Sequence, residues 1–175
     1  MKHIKKDLIH FIITGGTIDS YYSGSADTVV PNDQSAIPQF IKSTQLMAQV
    51  LYTTICMKDS RSINENDRQK VLQAIKDSSA KKIIVTHGTY TMPDTARFLK
   101  ANLKNKDKVI ILTGSMIPLV GFSPSDAPFS LGYSIARLGD LKPGVYVAMH
   151  GHIFEPEEIV KQLNEGKFIS IFGEQ

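Results

Sequence analysis

The chain has 175 residues, 42% of them hydrophobic, and carries 20 Lys and Arg against 17 Asp and Glu, a net charge of +3. That length suits one domain, or two very small ones, and buries roughly 68–70% of the unfolded surface, enough for a self-sufficient core. The near-average composition excludes a disordered, collagen-like or coiled-coil chain, the weak charge makes no case for nucleic acid, and the single cysteine, Cys56, excludes an internal disulfide and a cysteine-built zinc site.

The basic start Met1–Lys6 could pass for the n-region of a secretion signal. The apolar stretch behind it, Leu8–Ile13, is short, contains His10 and runs into Gly15-Gly16 without a small-residue cleavage site. It predicts instead a first buried strand in a cytoplasmic protein. No apolar run approaches the ~20 residues that cross a bilayer, so no membrane partner is expected.

Further apolar, β-branched runs follow at Val50–Met57, Lys82–Thr86, Val109–Thr113 and Val145–Met149. Most are apolar on both faces, as parallel strands covered on both sides are. Between them, Glu65–Asp77 places Val71, Leu72, Ala74 and Ile75 on one helical stripe, and Met92–Lys104 does the same with Ala96, Phe98, Leu99 and Leu103. Ala127–Leu138 and Glu157–Leu163 are predicted to complete the helices. Strand-helix alternation of this kind predicts an α/β fold: an open, mostly parallel, doubly wound sheet, flavodoxin- or Rossmann-like, in three layers. Residues 1–175 read as a single domain. Ligands of such sheets sit outside the carboxyl ends of the strands, where the connectivity reverses.

The strand ends hold the chemistry. Thr14-Gly15-Gly16-Thr17-Ile18 follows the first run, with two glycines for a tight turn and a threonine hydroxyl at the crevice. It matches neither the dinucleotide fingerprint nor the P-loop, which weakens a nucleotide-binding alternative. His87-Gly88-Thr89-Tyr90-Thr91-Met92 follows the third run, where Thr89 or Thr91 could also cap the next helix. Gly114-Ser115-Met116-Ile117-Pro118 follows the fourth, and His150-Gly151-His152 the fifth. Two histidines are short of the three or four converging ligands of a metal site, so no metal and no cofactor are expected. The absence of a Gly-x-Ser-x-Gly elbow disfavours that class of serine hydrolase. Threonine hydroxyls and a lysine remain, which suggests nucleophilic hydrolysis.

Taken together these segments resemble the bacterial-type L-asparaginase family, specifically its N-terminal domain and a short single-domain branch. Thr14–Ile18 matches the family's first signature, His87–Met92 the second with one change, and Asp59-Ser60-Arg61-Ser62-Ile63 its substrate-binding segment. Gly114–Pro118 with Ser125-Asp126-Ala127-Pro128-Phe129 resembles the stretch that follows, and Lys161 falls twelve residues after Met149, the family's spacing for its lysine. The resemblance implies an amidohydrolase that releases ammonia from L-asparagine or a related small amide. It implies Thr17 as nucleophile, Thr89 and Lys161 as a proton-transfer pair, and Ser60 as the group holding the substrate carboxylate. Gly16, Gly88, Tyr90 and Ser115 are expected to line the substrate, with Tyr21 and Tyr22 in a Ser/Gly/Asp-rich lid over Ser20–Asp33. A lysine serves as base only if burial lowers its pKa, and N–H groups at the glycine turns could stabilise an oxyanion.

Two departures matter. Tyr90 stands where the family carries an aspartate, and tyrosine offers no negative charge at neutral pH, so the substrate is expected to differ from free L-asparagine. No C-terminal domain is expected behind the first, so a homodimer or higher homo-oligomer is expected to cover the crevice. The alternative is a catalytically silent relative that binds a small carboxylate or amide.

Overall fold

A computed structural model describes residues 7–104 and 107–173, so the basic start Met1–Lys6 lies outside the described residues. In chain order the elements are β1 (Leu8–Gly15), β2 (Ser20–Ser23), β3 (Thr28–Pro31), α1 (Ile37–Ser43), β4 (Gln49–Lys58), α2 (Glu65–Asp77), β5 (Lys82–Thr86), α3 (Met92–Asn102), β6 (Val109–Thr113), α4 (Ala127–Arg137), β7 (Gly144–Met149), β8 (His152–Phe154), β9 (Ile159–Gln162) and β10 (Lys167–Ser170). Short 3-10 turns lie at Thr17–Asp19 and Ser60–Ser62.

Alternation within the central strands decides the layers. Ile12, Ile83, Val85, Ile110 and Leu112 point to one side, where Val71, Leu72 and Ile75 of α2 and Met92, Ala96 and Leu99 of α3 cover them. Phe11, Ile13, Ile84 and Ile111 point to the other, against Ile37 and Ile41 of α1 and Ala127 and Leu131 of α4. Helices on both faces of one sheet give the three layers expected. The sheet order is β4-β1-β5-β6-β7-β8, parallel throughout except for the antiparallel last strand. The chain runs outward from β1 to β4 and then crosses back to β5, so the connectivity reverses between β1 and β5. The crevice outside their carboxyl ends is where a ligand belongs.

Two expectations are corrected. Glu157–Leu163 is not a helix: β9 pairs antiparallel with β10, Lys161 opposite Phe168, and Gly166 at φ +64° sits in the turn between them. Ile159 is buried and the rest of β9 half-buried, while Leu163, just beyond it, is exposed. Within Ser20–Asp33, β2 and β3 form an antiparallel hairpin. The Val50–Met57 run lies in β4, an edge strand that is largely exposed or half-buried along its length, and not a strand covered on both faces.

α2 begins with a reciprocal cap. Asn64 Oδ1 accepts from the Asp67 N–H and Asp67 Oδ2 accepts from the Asn64 N–H, both at 3.1 Å, while Lys58 Nζ reaches Asp67 at 2.7 Å. Asn64→Ala should therefore destabilise the protein by about 1 kcal/mol. A urea titration with unchanged slope and a lower midpoint would show it; an unchanged midpoint would refute it.

Candidate active site

The turns after β1 and β5 touch backbone to backbone. Gly15 and Gly16 carry φ of +86° and +85°, and the Gly16 N–H donates to the Lys58 carbonyl at 2.8 Å. A Cβ on Gly16 would fall 2.3 Å from Gly88 Cα, so only glycine lets the two turns meet. Thr17 follows one of these glycines and Thr89 the other, so the two threonines stand on abutting turns. The Gly16 N–H, spent on Lys58, is not an oxyanion donor.

The turn after β4 packs beneath the same point. A Cβ on Gly88 would come within 2.7 Å of Ser60 Cβ. Ser60 is buried, and its Oγ accepts from the N–H groups of Tyr90 and Thr91 at 3.2 and 3.4 Å. Thr91 stands at the N-cap of α3 without a side-chain cap; its hydroxyl donates to the Ser60 carbonyl at 2.7 Å. The expected capping by Thr91 thus becomes a tie between turns. Thr89 does not cap α3 either, because its hydroxyl meets Lys161.

Lys161 Nζ lies 2.6 Å from Thr89 Oγ1, across 72 residues of sequence. Thr89 is buried and Lys161 half-buried. Burial and the nearby Arg61 guanidinium hold the Lys161 ammonium below the ordinary lysine range, with the Asp59 carboxylate opposing. A charged Lys161 donates to Thr89; a neutral one can take the threonine's proton. Among the described residues no carboxylate forms a salt bridge with Lys161.

Tyr90 is 44% exposed and lies under the Arg61 guanidinium, 4.7 Å from its ring centre. Ser115 is fully buried and its hydroxyl donates to the Ile117 carbonyl, holding the loop after β6. Tyr21 and Tyr22 stand exposed on the β2–β3 hairpin, and the Tyr22 hydroxyl donates to Asp27 Oδ1 at 2.6 Å. His150 and His152 sit in and after the turn behind β7. Among the described residues no three His, Cys, Asp or Glu side chains gather as a metal group would.

Two residues that sequence reasoning left without a role support the turns. Asp19, two positions after Thr17, is fully buried and its Oδ1 accepts from the Ala36 N–H at 2.7 Å, tying the turn to the start of α1. An acid directly after an apolar strand end was the available signal. His87 is fully buried with Nδ1 2.8 Å from the Gly88 carbonyl and Nε2 3.0 Å from Thr95 Oγ1. The carbonyl can only accept, so Nδ1 carries the proton and Nε2 accepts from Thr95. Arg68 Nε in turn donates to Thr95 Oγ1 at 3.3 Å. A directed chain of donors therefore runs from α2 to the carbonyl beside Thr89.

Burial drives His87 down to about 4 from 6.5, the Gly88 contact opposing and Arg68 reinforcing. Above pH 6.5 both native and unfolded states hold it neutral and its contribution is complete. Between 6.5 and 4 the unfolded chain takes up a proton that the native state refuses, so stability falls with pH by up to about 3 kcal/mol. Comparing melts of wild type and His87→Gln at pH 7 and 4.5 should show a gap that narrows in acid. A gap independent of pH would contradict the neutral, buried assignment.

Volume alone does not locate the site. A cleft of about 770 Å3 between α1 and the edge strand is lined mainly by apolar residues such as Ile41, Leu46, Val50 and Tyr52. Converging hydroxyls and an amine occur instead at the β1–β5 crevice.

Residues 8–167 match the family described as "Asparaginase, N-terminal". Among curated proteins the chain is 31% identical over 185 residues to a glutaminase-asparaginase of Acinetobacter glutaminasificans, covering 96% of this chain and 54% of that protein. It is 28% identical over 169 residues to L-asparaginase 2 of Escherichia coli K12, covering 87% and 46%. Among solved structures the thermostable L-asparaginase from Thermococcus kodakarensis superposes with a TM-score of 0.81 at 26% identity, over 95% of this chain and 52% of that one. A probable cytoplasmic L-asparaginase from Campylobacter jejuni gives 0.74 at the same identity, over 94% and 52%. The chain spans about half the length of the curated relatives it matches.

Proposed function

The chain belongs to the asparaginase family, matching its N-terminal domain, and on that premise we propose that it is an amidohydrolase that releases ammonia from a small linear amide through a threonine nucleophile. The carrying observation is the 2.6 Å contact between Lys161 Nζ and Thr89 Oγ1, a buried hydroxyl against an amine whose charge is disfavoured. A hydroxyl is a poor nucleophile toward an amide until a base takes its proton.

In this mechanism the Thr17 hydroxyl attacks the amide carbon and its proton passes into the Thr89–Lys161 pair. The carbon–nitrogen bond breaks as that pair returns a proton to the departing nitrogen. Water then hydrolyses the ester on Thr17, yielding the carboxylate and the free hydroxyl. Ser60 holds the substrate's carboxylate, and Tyr90 changes which small amide is accepted. Tyr21, exposed on the hairpin, serves as the lid residue, Tyr22 being engaged with Asp27. Ser115 shapes the far wall through its loop. The protein works without a cofactor, in the cytoplasm, as a homo-oligomer.

Ammonia release from a panel of small amides by the wild-type protein tests the reaction. Ligand binding with no release from any amide would favour the silent binder instead.

A further inference from the structure

Four observations around Ser60 bear on what the site accepts. Arg61 lies over the ring of Tyr90, the residue after Thr89, and among the described residues the one salt bridge of its guanidinium is with Asp59, at 3.9 Å. Asp59 is itself engaged, its Oδ1 accepting from the Arg61 N–H at 2.8 Å. Lys58, a nearby amine, is closed off by its ion pair with Asp67.

Ser60 supplies the fourth. Its Oγ receives two backbone N–H groups, so its lone pairs are occupied and its own proton is the group left to give. Among the described residues that proton has no acceptor. A donor hydroxyl next to the Arg61 guanidinium selects an acceptor with negative charge. An ammonium there would face the Arg61 guanidinium, and the neighbouring Asp59 carboxylate is already engaged by Arg61, so it would lack a partner of its own.

Resting on the amidohydrolase reading, we propose that the substrate is the monoamide of a short dicarboxylic acid with no α-ammonium group, an anion and not a zwitterion. The carboxylate binds at Ser60 and Arg61, and the amide end reaches the threonines. Hydrolysis consumes one water and turns the monoamide into the dicarboxylate and ammonium, with no oxidant or further reactant. The Tyr90 ring holds the guanidinium in position by its π face.

Calorimetric binding of succinate against L-aspartate, alongside ammonia release from succinamate against L-asparagine, tests this. Succinate should bind about ten- to a hundredfold more tightly than L-aspartate. Arg61→Ala should weaken succinate about tenfold, and Tyr90→Asp should erase the preference. L-Aspartate binding as tightly as succinate, or neither ligand binding, overturns the proposal. A succinate preference without ammonia release removes the hydrolase and leaves the ligand class; release from L-asparagine without that preference does the reverse.

Discussion

Lys161→Met should lower kcat/KM for amide hydrolysis by about a hundred- to ten-thousandfold, the range of a lost general acid–base group. The variant should melt at or slightly above the wild-type temperature. Methionine keeps most of the lysine stem at its strand position opposite Phe168, and a half-buried charge without a carboxylate partner disappears. The pH profile separates chemistry from folding. Burial and Arg61 both disfavour the Lys161 cation, so wild-type activity should climb with pH along a limb whose midpoint lies below the ordinary lysine range. In Lys161→Met that limb should vanish. A variant retaining more than a tenth of the wild-type rate, with the limb intact, would put the base elsewhere.

Gly16→Ala should cost about 2–5 kcal/mol and abolish activity together. Two effects add: a side chain at φ +85° is strained, and its Cβ would sit 2.3 Å from the Gly88 backbone, which cannot move aside as a flexible side chain can. Gly88→Ala differs in kind. Its backbone is unstrained, and its Cβ would press on Ser60 at 2.7 Å. It should therefore cost less stability and act mainly by displacing Ser60. Denaturant titrations of both variants provide the check. A Gly16→Ala loss below about 0.5 kcal/mol would mean that the turns do not abut as described.

Much of this architecture is visible in the residues. β5 and β6 fall where their apolar runs predict, and α2 spans the predicted Glu65–Asp77, since its stripe and its Asn64 cap agree. Local pattern suffices when a strand is buried on both faces or a helix carries a clear stripe. It fails where a partner far along the chain decides. Ile159–Gln162 satisfies a helical spacing, and only pairing with Lys167–Ser170 makes it a strand. The β2–β3 hairpin is half-exposed, so its Ser, Tyr and Thr residues show no strong apolar period. Nothing local tells that β4 is an edge.

The site divides in the same way. The glycine turns and their threonines stand out as motifs at strand ends. The resemblance, through its spacing, singled out Lys161, but its contact with Thr89 exists only through the pairing of β9. His87 and Asp19 owe their roles to burial, which the sequence does not display. The cation above Tyr90 depends on how the Ser60–Ser62 turn packs against the start of α3.

The central claim is hydrolysis of a small amide by paired threonines and a lysine. Ammonia release should be measured for wild type, Thr17→Ala, Thr89→Ala and Lys161→Met on succinamate, L-asparagine and L-glutamine under one set of conditions. Release by the wild type from at least one amide, falling at least about a hundredfold in all three variants, is the predicted result. No release from any amide by folded wild-type protein, or release persisting in Thr89→Ala and Lys161→Met, would contradict it.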